Sequence, residues 1–340
     1  MEKNSGKIKN MGKKGVYIAI LAAVVAIAVV SVYVFSQHSV SSPAVVHGKL
    51  AFVTNSMWNT VSVINMSDNK VIDSIPVGVY PFDVVASPSG DRVYVANTGS
   101  NTVSVIDTSN YNVTATFNAS IEPVGLALSP NGEYLYVTES NSGQLSVFDT
   151  SNGNLVENIA VGETPYYVVV SPNGQYIYVL NSDGNTTSVI DTSTYKVIHT
   201  IKGFGFPTAG YITPDGKTLY ITDSYNNSVA VINTSDYSIE RNIKTGDFPA
   251  YITASTNTSD IYVTNYDSNT TSVINTSDGE VIATIHGFSN PACLSLSPGG
   301  KYLYVVNRFG NSVSVVDLEN DSISGTISVS NQPLCIATIS

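Results

Sequence analysis

The tetrapeptide Tyr-Val-Ala-Asn at 94–97 belongs to a motif that recurs about every 42 residues along most of the chain. The other copies are FVTN at 52–55, YVTE at 136–139, YVLN at 178–181, YITD at 220–223, YVTN at 262–265 and YVVN at 304–307. Aromatic and β-branched residues favour strands, and repetition at one period is typical of repeat architectures. The motif therefore predicts a β-strand at the same place in seven consecutive units.

Three further strand-like segments separate successive copies of this motif. After residues 94–97 a polar loop leads into SVID at 104–107, a third apolar stretch follows, and a proline then begins a fourth segment, PVGLALSP, at 123–130. The other copies of SVID are SVIN at 62–65, SVFD at 146–149, SVID at 188–191, AVIN at 230–233, SVIN at 272–275 and SVVD at 314–317. Proline is tolerated at the first residue of a strand. Each unit is thus predicted to contain four short strands and no helix.

Seven four-stranded units predict an all-β fold, a seven-bladed β-propeller. A single four-stranded antiparallel sheet cannot bury both of its faces, so the sheets must pack against one another in a ring. The propeller begins with the second strand of a blade, at residues 49–55, and ends with a first strand, at residues 332–339. We expect the C-terminal strand to join the first blade and close the ring, which leaves no open sheet edge.

The YVTN–SVID–G-x-x-P unit resembles the YVTN β-propeller repeat, which is known from archaeal surface-layer and other cell-surface proteins. The resemblance covers residues 49–340, with Glu139 and Asp223 as departures at the Asn position. It implies the propeller fold and a role at the cell surface. It implies no activity, because the repeat itself contains no catalytic residue.

The N-terminal residues differ in composition from the repeats. Residues 1–15 hold five lysines and one glutamate, and residues 16–35 hold no charge at all. Twenty helical residues span about 30 Å, the hydrocarbon thickness of a bilayer. We therefore predict a cytoplasmic basic segment at 1–15, a transmembrane signal-anchor helix at 16–35, a Ser-rich tether at 36–48 and an extracellular propeller at 49–340.

Two alternatives for this segment stay open. A cleavable secretory signal would also be apolar, although its apolar core is usually shorter, about 7–15 residues. Lys13-Lys14-Gly15, just before the apolar run, resembles the cleavage site of archaeal pilin-like signal peptides. All three interpretations place residues 36–340 outside the cytoplasm, with the membrane as a partner where the helix is retained.

Charge and residue types argue against several function classes. The chain holds 15 basic and 26 acidic residues, a net charge of −11, which argues against a nucleic-acid partner. Only four histidines are present, and His199 and His286 fall in outer strands of different blades. We expect no metal site and no cofactor.

The residue that closes each SVID strand is acidic in only some repeats. The seven positions are Asn65, Asp107, Asp149, Asp191, Asn233, Asn275 and Asp317. An amide cannot replace a general base, but Asn and Asp form the same Asx turns. Asp83 is nearly the only acidic residue of the inner strands. We therefore expect turns rather than catalytic residues, and a protein that is not an enzyme.

The two cysteines, Cys293 and Cys335, occupy equivalent positions in the inner strands of neighbouring blades. Equivalent positions in a ring point in the same rotational sense, so the two thiols are not expected to face each other. We predict two buried free cysteines and no disulfide.

Ten Asn-x-Ser/Thr sequons occur, all in predicted loops, turns or outermost strands. They are Asn65, Asn112, Asn118, Asn185, Asn226, Asn233, Asn257, Asn269, Asn275 and Asn320. Exposed sequons in an exported chain are acceptors of N-glycans, so we predict that some of them are glycosylated.

A candidate ligand face follows from topology. In an antiparallel meander, the loops after YVTN and the loops before the prolines emerge on the same side of the ring. Met57, Trp58, Arg308 and Phe309 lie mid-loop in blades that ring closure makes neighbours, and Tyr80 begins the next blade. Apolar rings with an arginine suit a protein or glycan surface.

The function predicted from these features is a membrane-anchored, non-enzymatic cell-surface module that interacts with proteins or glycans. The alternative is an exported propeller enzyme, similar to lactonases or quinoproteins, or a solute-binding or redox accessory subunit. The sequence does not identify the ligand.

Overall fold

The computed structural model describes residues 49–340, which form twenty-eight strands in seven four-stranded antiparallel sheets. Blade 1 contains β28 (Pro333–Ile339), β1 (Leu50–Asn55), β2 (Thr60–Asn65) and β3 (Lys70–Pro76). Blade 2 contains β4 (Pro81–Ala86), β5 (Arg92–Asn97), β6 (Thr102–Asp107) and β7 (Asn112–Asn118). Blade 3 contains β8 (Pro123–Leu128), β9 (Tyr134–Glu139), β10 (Gln144–Asp149) and β11 (Leu155–Ala160). These blades confirm the predicted repeat and its phase.

The remaining four blades repeat the pattern. Blade 4 contains β12 (Pro165–Val170), β13 (Tyr176–Asn181), β14 (Thr186–Asp191) and β15 (Lys196–Lys202). Blade 5 contains β16 (Pro207–Ile212), β17 (Thr218–Asp223), β18 (Ser228–Asn233) and β19 (Ile239–Lys244), with a short 3₁₀ helix at Ser224–Asn226. Blade 6 contains β20 (Pro249–Ala254), β21 (Asp260–Asn265), β22 (Thr270–Asn275) and β23 (Val281–His286). Blade 7 contains β24 (Pro291–Leu296), β25 (Tyr302–Asn307), β26 (Ser312–Asp317) and β27 (Ser322–Ser328).

The core lies between neighbouring blades, as the ring arrangement requires. The second and third strands of each blade are almost entirely buried, whereas the outermost strands are mostly exposed. Between blades 2 and 3, for example, Tyr94 and Phe117 pack with Phe148, and the rings of Phe117 and Phe148 are stacked 6.1 Å apart. Each sheet therefore buries its faces against its neighbours.

The Thr of the YVTN motif compensates for an irregularity in the inner strands. Each of those strands shifts register just after its proline, as between Pro207 and Ala209 in blade 5. The Thr222 hydroxyl accepts a hydrogen bond from the Ala209 amide at 2.8 Å, and Thr264 accepts from the Tyr251 amide at 3.0 Å. The hydroxyl thus satisfies a buried donor that the strand ladder leaves unpaired.

The Asn of the YVTN motif and the Ser of SVID form a buried pair within each typical blade. In blade 4, Asn181 Nδ2 donates to Ser188 Oγ at 3.0 Å, and Asn181 Oδ1 accepts from the Gly162 amide at 3.1 Å. In blade 3, Glu139 replaces Asn, and its Oε1 accepts from Ser146 Oγ at 2.7 Å. This one contact therefore explains why the Asn of YVTN and the Ser of SVID recur together in the repeat.

Replacement of Asn181 by Ala is expected to lower the free energy of unfolding by about 2 kcal/mol, because buried partners lose their hydrogen bonds. Denaturant titration of the variant beside Asn141→Ala, which changes an exposed loop residue, measures this effect. Equal stabilities of the two variants would contradict the structural role of the pair.

The residues that close the SVID strands form Asx turns, as predicted. Asp107 Oδ1 accepts from the amide and the hydroxyl of Ser109, at 2.8 and 2.6 Å. Asn65 Oδ1 accepts from the Ser67 amide at 2.9 Å in the same way. The Ser109 hydroxyl and amide hold the pKa of Asp107 below its usual value.

Ring closure by the C-terminal strand is confirmed. Strand β28 pairs with β1 in antiparallel register, with Leu50 opposite Ile339 and Phe52 opposite Ala337. Thr54 Oγ1 accepts from the Cys335 amide at 3.0 Å. Strand β1 therefore lies inside a sheet, between β28 and β2.

The prediction of two free cysteines is wrong, because Cys293 and Cys335 form a disulfide between β24 and β28. Their Cα atoms are 5.0 Å apart, within the usual range for a disulfide. The inner strands converge on the channel axis, so two side chains that lean in the same rotational sense can still meet. The bond joins blade 7 to the strand that closes blade 1.

The predicted segments at 1–15, 16–35 and 36–48 lie outside the described residues. Within residues 49–340, no helix is long and apolar enough to cross a bilayer. The transmembrane helix therefore stays a prediction from the sequence.

Candidate ligand site at the mouth of the channel

One face of the ring, here called the top face, carries the loops after the YVTN strands and the loops before the prolines. Asn59 has a positive φ of 57°, and its Oδ1 accepts from the Tyr80 amide of the next blade at 2.9 Å. The same bond, from an Asn in one blade to the residue before the proline in the next, joins Asn101 to Glu122, Asn227 to Phe248, Asn269 to Asn290, and Asn311 to Gln332. These bonds fix the loops of the top face, including Tyr80, against one another.

Arg308 lies on the top face directly after β25 and is surrounded by aromatic side chains. Its Nη2 donates to the Tyr80 hydroxyl at 3.4 Å, and its Cζ lies 5.5 Å from the centre of the Phe309 ring. Burial raises the pKa of Tyr266, and the charge and hydrogen bond of Arg308 oppose that shift. Burial likewise raises the pKa of Tyr166, again against the charge of Arg308. The guanidinium is therefore close to three phenols.

No carboxylate pairs with Arg308 in the described part of the chain. The ion pairs found within residues 49–340 join Lys70 to Asp68 and Lys217 to Asp215, at exposed positions. The Nε atom of Arg308 is buried and has no hydrogen-bond partner. A guanidinium has several N–H donors and no acceptor, so Arg308 has donors left for an anion.

A row of aromatic rings leads away from Arg308 across blades 7, 6 and 5. This aromatic arc consists of Phe309, Tyr266, Phe248, Tyr225 and Phe206. Its successive ring centres are 6.4, 6.2, 6.1 and 4.6 Å apart. Phe309 is 54% exposed, and the other four residues are half-buried. Three of the four ring contacts are edge to face, so the arc offers ring edges and faces beside a positive charge.

Three of the five residues predicted for the ligand face are brought together: Tyr80, Arg308 and Phe309. Met57 and Trp58 lie on the same face, in the loop after β1, and are 50% and 66% exposed. Their part in a ligand site stays a prediction. Sequence reasoning missed Tyr166, an inner-strand residue, because only the convergence of the blades shows that it lies beneath Arg308.

Two pairs of aromatic side chains from the inner strands meet beneath this site. The rings of Phe82 and Tyr166 meet edge to face at 5.6 Å. One residue further along the inner strands, the Tyr167 hydroxyl donates to the Tyr251 hydroxyl at 3.0 Å. We refer to these four residues as the inner aromatic pairs.

Asp83 lies beside the inner aromatic pairs and is buried, with 6% of its surface exposed. Its carboxylate accepts from the Val84 amide at 2.8 Å and from the Leu126 amide of the next blade at 2.8 Å. Desolvation outweighs these two hydrogen bonds and raises the pKa of Asp83 from 3.8 to about 7. Among residues 49–340, no three His, Cys, Asp or Glu side chains are grouped so that they could hold a metal ion.

Several solved structures are similar to this propeller. A functionally unknown protein from Desulfotomaculum acetoxidans aligns with a TM-score of 0.75 and 16% identity, over 85% of this chain and 98% of that one. Hydrazine synthase from Kuenenia stuttgartiensis aligns with a TM-score of 0.68 and 22% identity, over 76% and 89% of the two chains. Dihydro-heme d1 dehydrogenase NirN in complex with DHE aligns with a TM-score of 0.67 and 16% identity, over 84% and 74%. No curated protein matches the sequence.

Two of these similar structures are enzymes by name. The prediction that this chain is not an enzyme is therefore wrong, because it treated the propeller repeat as a sign of a non-catalytic module. The same fold occurs in hydrazine synthase and in dihydro-heme d1 dehydrogenase. At these identities the likeness shows the fold and no particular reaction.

Family membership rests on a match that extends over nearly the whole chain. The comparisons do not confirm the resemblance to archaeal surface-layer proteins. The family model described as YNCE-like β-propeller matches residues 9–340. The chain therefore belongs to the YNCE-like β-propeller family.

Proposed function

We propose that this propeller binds a small anionic ligand with a flat apolar part at the mouth of its channel, as an enzyme or as the ligand-binding accessory subunit of one. The observation that carries the proposal is Arg308, which lies among aromatic side chains on the top face and forms no ion pair in the described chain. Guanidinium groups suit carboxylates through paired, charge-assisted hydrogen bonds. The hydroxyls of Tyr80 and Tyr266 add further donors, and Phe309 offers a ring face.

The choice of an enzyme or accessory subunit is supported by the two enzymes of similar fold. One of them is named for dihydro-heme d1, and haem-type molecules are flat, conjugated and carry carboxylates. A flat anion of this kind matches the combination of Arg308 with the aromatic arc. A protein or glycan surface that presents such a group to the top face is a second source of the same chemistry.

Export to the cell surface and attachment to the membrane through residues 16–35 are part of the proposal. Their support is the uncharged segment behind five lysines, together with the distribution of the sequons. All ten sequon asparagines are exposed or half-exposed in the structure, which glycosylation requires. Partners at the surface would meet the top face, where Trp58 and Phe309 are exposed.

Titration with benzoate, followed by tryptophan fluorescence, tests the ligand site. Trp58 is the only tryptophan of the chain and lies on the top face, so its fluorescence reports on ligand binding at that face. We expect benzoate to bind more tightly than benzamide, its neutral counterpart, and more tightly than cyclohexanecarboxylate, which is not flat. Arg308→Gln should weaken benzoate binding about tenfold or more, because a hydrogen bond to a charged group is lost.

Arg241→Gln is the matched control for the loss of an arginine. Arg241 lies on the outer strand β19, where its Nη1 donates to the Asp278 carbonyl oxygen at 2.6 Å. Its replacement should leave benzoate binding unchanged. The proposal fails if Arg308→Gln behaves like Arg241→Gln, or if Trp58 fluorescence shows no saturable response to any of the three compounds.

A further inference from the structure

A cleft lies between blades 3 and 4 on the face of the ring opposite the top face, here called the bottom face. It has a volume of about 380 Å³, at the lower end of the range for small-molecule sites. Turns of both blades border it, at 129–131 in blade 3 and at 173–174 in blade 4. We call this concavity the tyrosine cleft.

Three tyrosines from the two blades converge on the tyrosine cleft. Tyr134 and Tyr136 lie on β9 of blade 3, and Tyr195 lies in the turn between β14 and β15 of blade 4. Tyr136 is only 2% exposed, whereas Tyr134 and Tyr195 are half-buried. Burial raises the pKa of Tyr195, and the neighbouring Tyr134 and Glu157 reinforce this shift. The cleft therefore offers parts of two aromatic rings to a ligand.

At two other junctions between blades, the place that corresponds to the Tyr195 side chain is already occupied. The equivalent residue is Gly153 in blade 3 and Gly279 in blade 6, each with a positive φ like that of Tyr195. A Cβ atom at Gly153 would overlap the ring of Phe117, and one at Gly279 would overlap the guanidinium of Arg241. A side chain of the preceding blade therefore fills the gap at these junctions.

The junction between blades 4 and 5 has an equivalent tyrosine, but its ring is stacked. His199 on the outer strand β15 packs on Tyr237 of blade 5, with the ring centres 4.7 Å apart. In blade 3 the same strand position is held by Glu157, which is exposed. Glu157 has no ring and cannot stack on Tyr195 as His199 stacks on Tyr237.

Hydrogen bonds of the turns hold the polar groups of the tyrosine cleft in place. Asn131 Oδ1 accepts from the Ser129 hydroxyl at 2.7 Å, and Asn173 Oδ1 accepts from the Ser171 hydroxyl at 2.7 Å. The Thr192 hydroxyl donates to a carbonyl oxygen of the 173–174 turn at 2.8 Å, so its own oxygen can accept. The cleft thus combines amide groups, which can donate, with a hydroxyl that can accept.

The lining of the tyrosine cleft favours a ligand that is neutral but polar. No charged side chain lines the cleft, and more of its exposed lining is polar than apolar. A charged ligand would lose its hydration without gaining a partner of opposite charge in the lining. A purely apolar ligand would cover amides and hydroxyls without forming hydrogen bonds to them. A molecule that has both an apolar face and several hydroxyl groups meets both conditions.

We infer that the tyrosine cleft binds a neutral saccharide through one pyranose ring. The C–H face of a pyranose is apolar and packs against aromatic rings, here those of Tyr134 and Tyr195. Its hydroxyl groups both donate and accept hydrogen bonds, which suits Asn131, Asn173 and Thr192. The volume of the cleft is enough for one such ring. The inference goes beyond the proposed function, because it concerns the opposite face and an uncharged ligand.

Saturation-transfer NMR with the methyl glycosides of glucose, galactose, mannose and N-acetylglucosamine tests this inference. Sorbitol, which has the hydroxyl groups without the ring, and choline, a cation of the kind that aromatic rings bind, are the comparison compounds. We expect saturable binding of at least one glycoside and no binding of sorbitol or choline. Benzoate should not displace the glycoside, because its site lies on the top face.

Tyr195→Gly removes one ring of the cleft and should weaken glycoside binding about tenfold or more. Glycine suits this position, because the φ of Tyr195 is 54°. Tyr237→Gly is the matched control, since it makes the same change at the next junction and should leave binding unchanged. Glu157→His places an imidazole where His199 stacks on Tyr237, and should weaken binding because it covers the ring of Tyr195. Thermal unfolding of each variant checks that it folds.

The inference is overturned if no glycoside binds saturably, or if choline binds and the glycosides do not. It is also overturned if folded Tyr195→Gly binds the glycoside as tightly as Tyr237→Gly does. Should the tyrosine variants fail to fold, Glu157→His decides alone, since Glu157 is exposed on an outer strand. Unchanged glycoside binding by Glu157→His would then count against the cleft. A failure of benzoate to affect Trp58 concerns the top-face site alone.

Discussion

A chain that lacks residues 332–340 is expected to lose the cooperative unfolding transition of the propeller. These residues form β28, which supplies the innermost strand of blade 1 and pairs with β1 along its length. Leu334, Ile336 and Ile339 are each less than 9% exposed. Burial of such a side chain contributes about 1.5–3 kcal/mol, so the loss is comparable with the total stability of a typical domain. Thermal and denaturant unfolding followed by circular dichroism measure it.

This truncation also removes Cys335, so the disulfide needs its own control. The double variant Cys293→Ser/Cys335→Ser keeps β28 and removes only the bond across 42 residues of chain. In the chain-entropy account, a loop of this length is worth about 4 kcal/mol. We expect this variant to be less stable but still cooperative. If the truncated chain unfolds just as the double variant does, the closing strand contributes nothing beyond the disulfide.

Asp83 is expected to make the propeller less stable as the pH rises from about 4 to about 7. Its pKa is about 7 in the folded chain, against 3.8 as the ordinary value, so the folded state holds a proton that the unfolded state has lost. The unfolded state then binds fewer protons, and stability falls by about 1.4 kcal/mol for each pH unit in this window. Above pH 7 the free energy of unfolding is therefore about 4 kcal/mol lower than it is near pH 4.

Asp83→Asn removes the titrating group and tests this expectation. Denaturant titrations of both chains near pH 4 and pH 8 give the change in their stability difference, which should favour the variant at the higher pH. Asp236→Asn is a control of opposite sign, because hydrogen bonds from Ser238 hold the pKa of the exposed Asp236 below its usual value. A stability difference between Asp83→Asn and the unaltered protein that does not vary with pH would show that Asp83 is ionised in the fold.

The seven-bladed architecture could be predicted from the sequence because every unit repeats the same residues at the same strand positions. The proline that opens an inner strand, the Thr that accepts from its irregular amide and the Asn–Ser pair recur in phase, so each copy supports the others. The Asx turns were predictable for the same reason, since Asn and Asp alternate at one position. Hydrogen bonds within one repeat unit, together with the regular spacing of the units, were sufficient to predict the strands and the Asx turns.

Features that depend on distances across the ring were not predictable in the same way. Symmetry gave the relative directions of Cys293 and Cys335 but not the 5.0 Å between their Cα atoms. The contact of Arg308 with Tyr80 joins residues 228 positions apart, and Tyr166 reaches the same place from blade 4. The aromatic arc brings together rings from three blades, which no single repeat unit shows. In each case the convergence of seven blades decides which side chains meet.

The position of β1 inside blade 1 has a mechanical consequence. A pulling force applied through the residues before Lys49 enters the fold at Leu50, which is paired with Asn65 on one side and with Ile339 on the other. To extract β1, the force must shear two hydrogen-bonded ladders at once, whereas a strand at a sheet edge can be peeled from one. Part of the load passes from β28 to blade 7 through the covalent Cys293–Cys335 bond. A propeller held by its N-terminal side under drag or flow would therefore carry the tension across two blades, at the seam where its ring is closed.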